Sequence, residues 1–374
     1  MLTIPVHTIE LKGANFEIGY KLGRIISENT AHKLAYIRTL EGFGQSQYKD
    51  AVKLFDEWCP GISEEIAGFA DALNVNAEQI AYYAMTYLIP RCSQIAVLPG
   101  LTAQNKPLLA RNYEFNHQME DFVLARTSVT GKYTHMGTST MSFGRDDGFN
   151  EHGLAVTMSA CGFPVGADPF LRAPKIKGLH FWAAIRAILE NCKNVEEALH
   201  YLKEMPIASN INLMLLDKSG NAALFETMDG NQETKQISPA SQEQFLWATN
   251  HPVLPSLIQY EPEAAIHSLR RGEWIASRLE GASEITNEQL KKMLLSNYPD
   301  GLCCHYFQDY FGTTKSMLFS PADGIMELCW GGRAENGWQT YDIKQVMPDS
   351  STTIQICMEN ADKTMFGYQS LRNS

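Results

Sequence analysis

Apolar residues recur at helical spacing in the early part of the chain. Ile62, Ile66, Phe69, Ala70 and Leu73 share one face, and Ile80, Tyr83, Ala84 and Tyr87 repeat the pattern. Asn15 to Leu88 therefore reads as helical, with Ser63 and Asn76 as N-caps. Pro90 removes a backbone donor and pushes Ile89 out of helical geometry, so the last helix should stop there. Arg91-Cys92 then falls in a connection.

The period changes after that point. Cys92 to Leu98 and Leu108 to Phe115 flank a turn-rich stretch, Pro99 to Pro107, and read as a β-hairpin whose first strand opens at Cys92. Leu179 to Met205 reads as helical. Ile211 to Leu216 and Ala222 to Glu226 form a second hairpin around Asp217 to Asn221. Two more helices follow, Glu263 to Leu279 and Asn287 to Leu295, the latter with a capping box of Thr286 and Gln289. A closing hairpin pairs Ser316 to Ser320 with Ile325 to Trp330. Helices and hairpins succeed one another without βαβ alternation, which favours α+β layers over a doubly wound parallel sheet. No internal repeat, low-complexity tract or clear linker divides the chain.

Composition narrows the function classes. With 44% hydrophobic and 20% charged residues in 374, the chain can bury a sizeable core. A net charge of −11 repels phosphate backbones and anionic membranes, so neither nucleic acid nor a membrane is an expected partner. The first residues lack a basic segment followed by an apolar one, and no stretch is apolar for long enough to span a bilayer. A cytoplasmic location is the expectation. Eight cysteines are scattered as free thiols would be, and no structural disulfide is expected.

Most of these cysteines should be small buried hydrophobes. Cys92 differs in context, because it stands at a helix-to-strand junction beside Arg91, with Arg111 and Glu114 returning next to it if the hairpin forms. A neighbouring guanidinium favours the thiolate. A cysteine that becomes an N-terminus also gains an α-amine, whose reference pKa of about 8 suits it to carry the thiol proton.

Cys92-Ser-Gln-Ile-Ala and Leu109-Ala-Arg-Asn-Tyr-Glu-Phe resemble the nucleophile hairpin of the linear-amide C–N hydrolases, the N-terminal-nucleophile (Ntn) group that contains choloylglycine hydrolases and acid ceramidase. Gly148 to Val156, His180 to Ala184 and Trp247 to Pro252 resemble later blocks of that group, in the same order. Glu17-Ile-Gly-Tyr-Lys-Leu-Gly23, Cys304-His305 and Gly312 to Phe319 are closest to its acyl-coenzyme A:6-aminopenicillanic acid acyltransferase branch, which carries a helical pro-segment. Each motif alone is weak; the ordered set is specific.

The resemblance implies a four-layer αββα sandwich. It implies a precursor cleaved between Arg91 and Cys92 into a helical 1–91 pro-segment and a 92–374 catalytic chain, which together make one globular domain. Cys92 becomes the nucleophile, Arg111 and Glu114 line it and its amine, Asn250 is a side-chain oxyanion donor, and Arg271 is a second arginine. Arg271 is chosen over Arg270 only by the Ser268-Leu-Arg-Arg271 spacing. Two positions depart from the group's pattern. Glu114 replaces the common aspartate, so its contact with the Cys92 amine is expected to be indirect. Met158-Ser159-Ala160 replaces an oxyanion asparagine, so a backbone amide near Ala160 is expected to serve.

The expected activity is cleavage of a linear amide through a thioester, on a small-molecule substrate. Acyl-coenzyme A-dependent transfer, or an uncleaved binding protein on the same fold, is the alternative. Tyr82, Tyr83, Phe163, Phe170 and Trp182 offer surface for an apolar acyl group, or are core. Cys303-Cys304-His305 invites a zinc reading, but no second cluster lies at ligand spacing, and packing is the better account. Gly42-Phe-Gly44 lacks the context of a nucleotide loop. No metal or cofactor is expected, and homo-oligomerisation is left open.

Overall fold

The hairpin that carries Cys92 forms as its alternation predicts. In a computed structural model, which describes residues 1–28, 33, 34, 36, 42–85, 91–140, 142–163, 165 and 172–371, strands β2 (Arg91–Val97) and β3 (Leu108–Phe115) pair antiparallel, with Cys92 opposite Tyr113 and Arg91 opposite Glu114. Arg91 itself opens the strand, where a connection was expected. Tyr87, Leu88, Ile89, Pro90 and Phe170 lie outside the described residues.

β3 continues into β14 (Phe311–Ser320), which also pairs the short β13 (His305–Tyr306), then β15 (Ile325–Trp330) and β16 (Gln339–Asp342), and β2 is flanked by β11 (Phe245–Ala248); β12 (Glu263–Ala265) pairs apart from both sheets with β18 (Tyr368–Ser370). The second sheet has the order β10 (Asn231–Ile237), β9 (Ala222–Met228), β8 (Ile211–Asp217), β7 (Leu154–Ala160), β6 (Asp147–Asn150), β5 (His135–Ser139), β4 (Val123–Val129), β1 (Leu2–Gly13) and β17 (Ser350–Ile356). Neighbouring strands in both are antiparallel apart from β1 beside β4.

Three cores separate four layers. Leu109, Met317 and Leu328 of the first sheet meet Leu124, Met214 and Leu224 of the second in a core between the sheets. Helices α1 (Asn15–Ser27), α2 (Gln45–Trp58), α3 (Ile62–Leu73), α4 (Ala77–Ala84), α5 (Phe181–Asn191) and α6 (Val195–Glu204) cover the outer face of the second sheet, against Val156, Leu213 and Leu215. A single turn, α7 (Pro255–Ile258), precedes α8 (Ile266–Leu279) and α9 (Asn287–Leu295), which pack Ile275 and Leu294 on Ile95, Ala110 and Leu318 of the first sheet. The layers run helix, sheet, sheet, helix, as expected. Among the described residues no helix is long and apolar enough to cross a membrane.

Several local expectations need correction. The 1–91 segment is not wholly helical, because its first residues form β1, inserted between β4 and β17. Val6 points into the core between the sheets while Ile9 and Leu11 point to the helical layer, so the buried apolar side of the strand changes face between Val6 and Ile9 and no single alternation runs through it. Ser63 does not cap α3: Gly61, at φ +100°, is the residue before its first turn, and Ser63 bonds Asp56 instead. Asn76 does hold the N-cap position of α4, where its backbone N–H donates to Gln79 Oε1, and Thr286 caps α9 with its side chain, accepting from Gln289 N. The helical stretch from Leu179 breaks at Cys192 into α5 and α6.

The Gly19 and Gly23 spacing has a packing cause. α1 crosses α3 so closely that a Cβ on Gly19 would lie 1.9 Å from the Glu65 carbonyl oxygen, and one on Gly68 2.1 Å from that of Phe16. Only glycine permits that approach.

Candidate active site

Strand alternation divides the chemistry around Cys92 between two faces. Cys92, Arg111 and Tyr113 point between the sheets, whereas Arg91 and Glu114 point to the α8 side, where Glu114 meets Arg271. Arg111 Nη2 lies 3.3 Å from Cys92 Sγ, and its Nη1 pairs with Asp147 Oδ2 at 2.6 Å. The guanidinium carbon sits 4.5 Å over the Tyr113 ring, and Lys315 Nζ lies 4.2 Å from the same ring. Lys315 pairs with Glu120 at 3.0 Å and Asp146 at 3.3 Å, so this buried charge is compensated.

The backbone nitrogen of Cys92 has its own partner. Cys92 N donates to Asn250 Oδ1 at 3.0 Å, Arg271 Nη2 donates to the same oxygen at 2.8 Å, and Asn250 Nδ2 donates to the Ala160 carbonyl at 3.1 Å. Two donors on one atom and an acceptor on the other fix which end of the amide is which. Ser268 Oγ accepts from Asn250 N at 2.7 Å, a role for the serine of the Ser268 to Arg271 spacing. Arg271 is buried and Arg270 exposed, so the register selects Arg271.

Arg271 Nη1 pairs with Glu114 Oε2 at 3.0 Å, and Thr313 donates to Glu114 Oε1 at 3.1 Å. Glu114 thus reaches the Cys92 nitrogen only through Arg271 and Asn250. Burial pushes its carboxyl up to about 7, against Arg271 and the Thr313 hydroxyl. Burial likewise pushes the Cys92 thiol up to about 11, outweighing Arg111. This corrects the expected thiolate: Arg91 turns away to His267 and Phe311, and the cation that does reach the sulfur does not win in the enclosed, uncleaved chain.

Two hollows adjoin the group. One of about 20 Å³ is lined by Ala160, Asn250, His267 and Tyr368, the other, of about 370 Å³, by Glu114, Phe311 and Phe366, and Arg91 borders both. Of the aromatic residues proposed for an acyl group, Tyr83 and Trp182 belong to the helix-side core, and Phe163 stands 6.1 Å from the Tyr368 ring. Cys303 Sγ lies 3.6 Å from His305 Nε2, and among the described residues no three His, Cys, Asp or Glu side chains group as metal ligands. All eight cysteines are free. His267, Lys315, Asp147 and Thr313 were not singled out from the sequence; Thr313 and Lys315 lie within the Gly312 to Phe319 block.

The profile of the acyl-coenzyme A:6-aminopenicillanic acid acyl-transferase family matches residues 101–335, well over half of the chain. The chain belongs to that family. Its match takes in Arg111, Glu114, Ala160, Asn250 and Arg271 and starts after Cys92. As a member of the acyl-transferase family, the chain has the Ntn-hydrolase fold, and its four layers are that architecture. No curated protein matches the sequence. Solved structures similar to it include a variant of the conjugated bile acid hydrolase from Clostridium perfringens (13% identity, 72% of this chain and 99% of that one, TM-score 0.44). Penicillin V acylase from Agrobacterium tumefaciens (18%, 64% and 83%, 0.38) and the Caenorhabditis elegans ortholog of N-acylethanolamine-hydrolyzing acid amidase (13%, 62% and 93%, 0.41) are others. At these TM-scores the likenesses decide nothing, and the family rests on the profile.

Proposed function

We propose that this member of the acyl-transferase family is a cysteine Ntn hydrolase that cleaves its own Arg91–Cys92 bond and then cleaves a small linear amide. One observation carries the reading: the sulfur and the nitrogen of Cys92 each have a dedicated partner, Arg111 Nη2 at 3.3 Å from the same hairpin and Asn250 Oδ1 at 3.0 Å from far along the sequence. Paired partners of this kind suit a residue whose thiol attacks and whose amine handles protons.

In self-cleavage Cys92 Sγ attacks the Arg91 carbonyl carbon, the C–N bond breaks, and the nitrogen leaves as an amine carrying the thiol proton. Water then opens the thioester, leaving a carboxylate on Arg91 and a free thiol on Cys92. In turnover the amine takes the thiol proton, sulfur attacks the substrate carbonyl, the C–N bond breaks as the leaving nitrogen receives the proton, and water then opens the thioester to release the acid and restore the thiol. Asn250 Oδ1 holds the amine. The second hydrogen of Asn250 Nδ2 and a backbone amide near Ala160 serve the oxyanion. Arg271 fixes Asn250, and Glu114 neutralises Arg271. The family is named for acyl transfer, so an acceptor amine in place of water at the thioester is the second reading.

Intact mass and N-terminal sequencing of the purified protein test the reading. A second chain starting at Cys92, absent after Cys92→Ala, is expected. Because β1 pairs on both sides, the 1–91 fragment should stay bound in native conditions and separate in denaturant. A single full-length chain that turns over amides would refute the amine's role; one without activity would favour an uncleaved binding protein.

A further inference from the structure

Arg91, the residue before the proposed cleavage point, has a built environment for its side chain. Its guanidinium carbon lies 5.4 Å from the centre of the Phe311 ring and 5.5 Å from that of Phe366, and the two rings meet edge to face at 5.6 Å. His267 closes a third side, its Nε2 3.3 Å from Arg91 Nη1 and its ring 5.0 Å from Phe311. Aromatic faces arranged in this way recognise a planar cation through their quadrupoles.

His267 also shows how firmly Arg91 is held. Its Nδ1 lies 3.0 Å from Arg271 Nη2, so the imidazole stands between two guanidinium groups. Burial, then Arg271 and Arg91, hold its pKa well below the ordinary value, and a neutral imidazole has one lone pair. The shorter contact is to Arg271, which takes the lone pair, so Arg91 rests chiefly on the rings.

We infer that the Phe311–Phe366–His267 cage is a guanidinium-binding subsite beside the nucleophile, filled by Arg91 both before and after self-cleavage. The inference rests on the cleavage proposed above. After the bond breaks, Arg91 becomes the C-terminus of the 1–91 chain, its new carboxylate beside the new Cys92 ammonium. That chain remains anchored through β1, so the arginine rebinds as an intramolecular ligand at high effective concentration. Arg91 also borders the two hollows, one lined by Asn250 and the other by Glu114, so while it stays it divides the space a substrate needs beside the nucleophile. The ligand class is an arginine-like group, a guanidinium on a short methylene stem near a carboxylate or carbonyl.

The test compares wild type, Arg91→Ala and Phe366→Ala as full chains. Intact mass reads cleavage, and peptide mass spectrometry reads the rate at which iodoacetamide alkylates Cys92. Cys92 should be alkylated about tenfold faster in both variants than in wild type, the loss expected for one cation held by aromatic faces. Millimolar N-acetylarginine should slow alkylation of Arg91→Ala back toward the wild-type rate and leave Phe366→Ala nearly unchanged. Equal rates in wild type and both variants, or no protection of Arg91→Ala, would overturn the subsite. If none of the proteins is cleaved, the self-processing reading falls while the alkylation ratio still reads the cage. If Arg91→Ala alone is uncleaved, Phe366→Ala carries the comparison.

Discussion

Replacing Asn250 by Ala removes three hydrogen bonds at one point: those from Cys92 N and Arg271 Nη2 to Oδ1, and that from Nδ2 to the Ala160 carbonyl. Each buried group left without a partner costs about 1–3 kcal/mol, and a water entering the vacated volume recovers part of it, so stability should fall by about 2–4 kcal/mol. The rate effect is separate. Losing one oxyanion donor costs about 2.7–4 kcal/mol of transition-state stabilisation, or about 10²–10³ in turnover. The assay is self-cleavage followed by intact mass after synthesis, and amide turnover by whatever fraction matures, with urea unfolding as control. Asn250→Asp separates the two roles, because it keeps the acceptor facing Cys92 N and loses the donor. It should mature faster than Asn250→Ala yet turn over slowly. An Asn250→Ala protein that matures and turns over at the wild-type rate would remove Asn250 from the mechanism.

Two further outcomes follow from buried charge. Glu114, raised from its ordinary value to about 7 by burial, binds a proton in the folded chain that the unfolded chain has released above about pH 4.5, so its contribution to stability falls as pH rises from 4.5 to 7. Denaturation of wild type and Glu114→Gln at several pH values should show wild type losing up to about 3 kcal/mol relative to the variant across that window; a pH-independent difference would contradict it. Arg186 on α5 pairs with Glu65 on α3 at 2.8 Å and with Glu190 on α5, all buried. Arg186→Met strands both carboxylates and should cost about 3–5 kcal/mol in urea unfolding; because Glu65 precedes the proposed cleavage point, the variant of a cleaved protein should also release the 1–91 fragment at lower denaturant.

What could be read in advance follows from the range over which each feature is encoded. The β2–β3 hairpin and the α4 and α9 caps rest on residues a few positions apart, and pattern and turn chemistry found them. β1 pairs with β4 and β17, both far off in sequence, and its apolar side changes face between Val6 and Ile9, which leaves only a short alternation to mark it. The same limit governs the site. Cys92, Arg111 and Glu114 lie on one hairpin and were legible there. Asn250 and Arg271 came from family motifs, whereas His267, Asp147 and Lys315 acquire their partners only through tertiary pairing.

The high thiol pKa of the uncleaved chain need not conflict with a nucleophilic Cys92. Arg111 divides its charge between Cys92 Sγ and the Asp147 carboxylate, and burial outweighs what reaches the sulfur. Before cleavage the thiol therefore stays protonated, and the amide nitrogen beside it cannot accept that proton. Under the proposed cleavage the amide becomes an amine of reference pKa about 8, at the position now 3.0 Å from Asn250 Oδ1. Asn250 is pinned by Arg271, Ser268 and Ala160, and Arg111 by Asp147 and Tyr113, so neither must move for the base to appear. On that proposal the change from inert to reactive lies in one broken bond, within a frame whose partners are in place before the reaction.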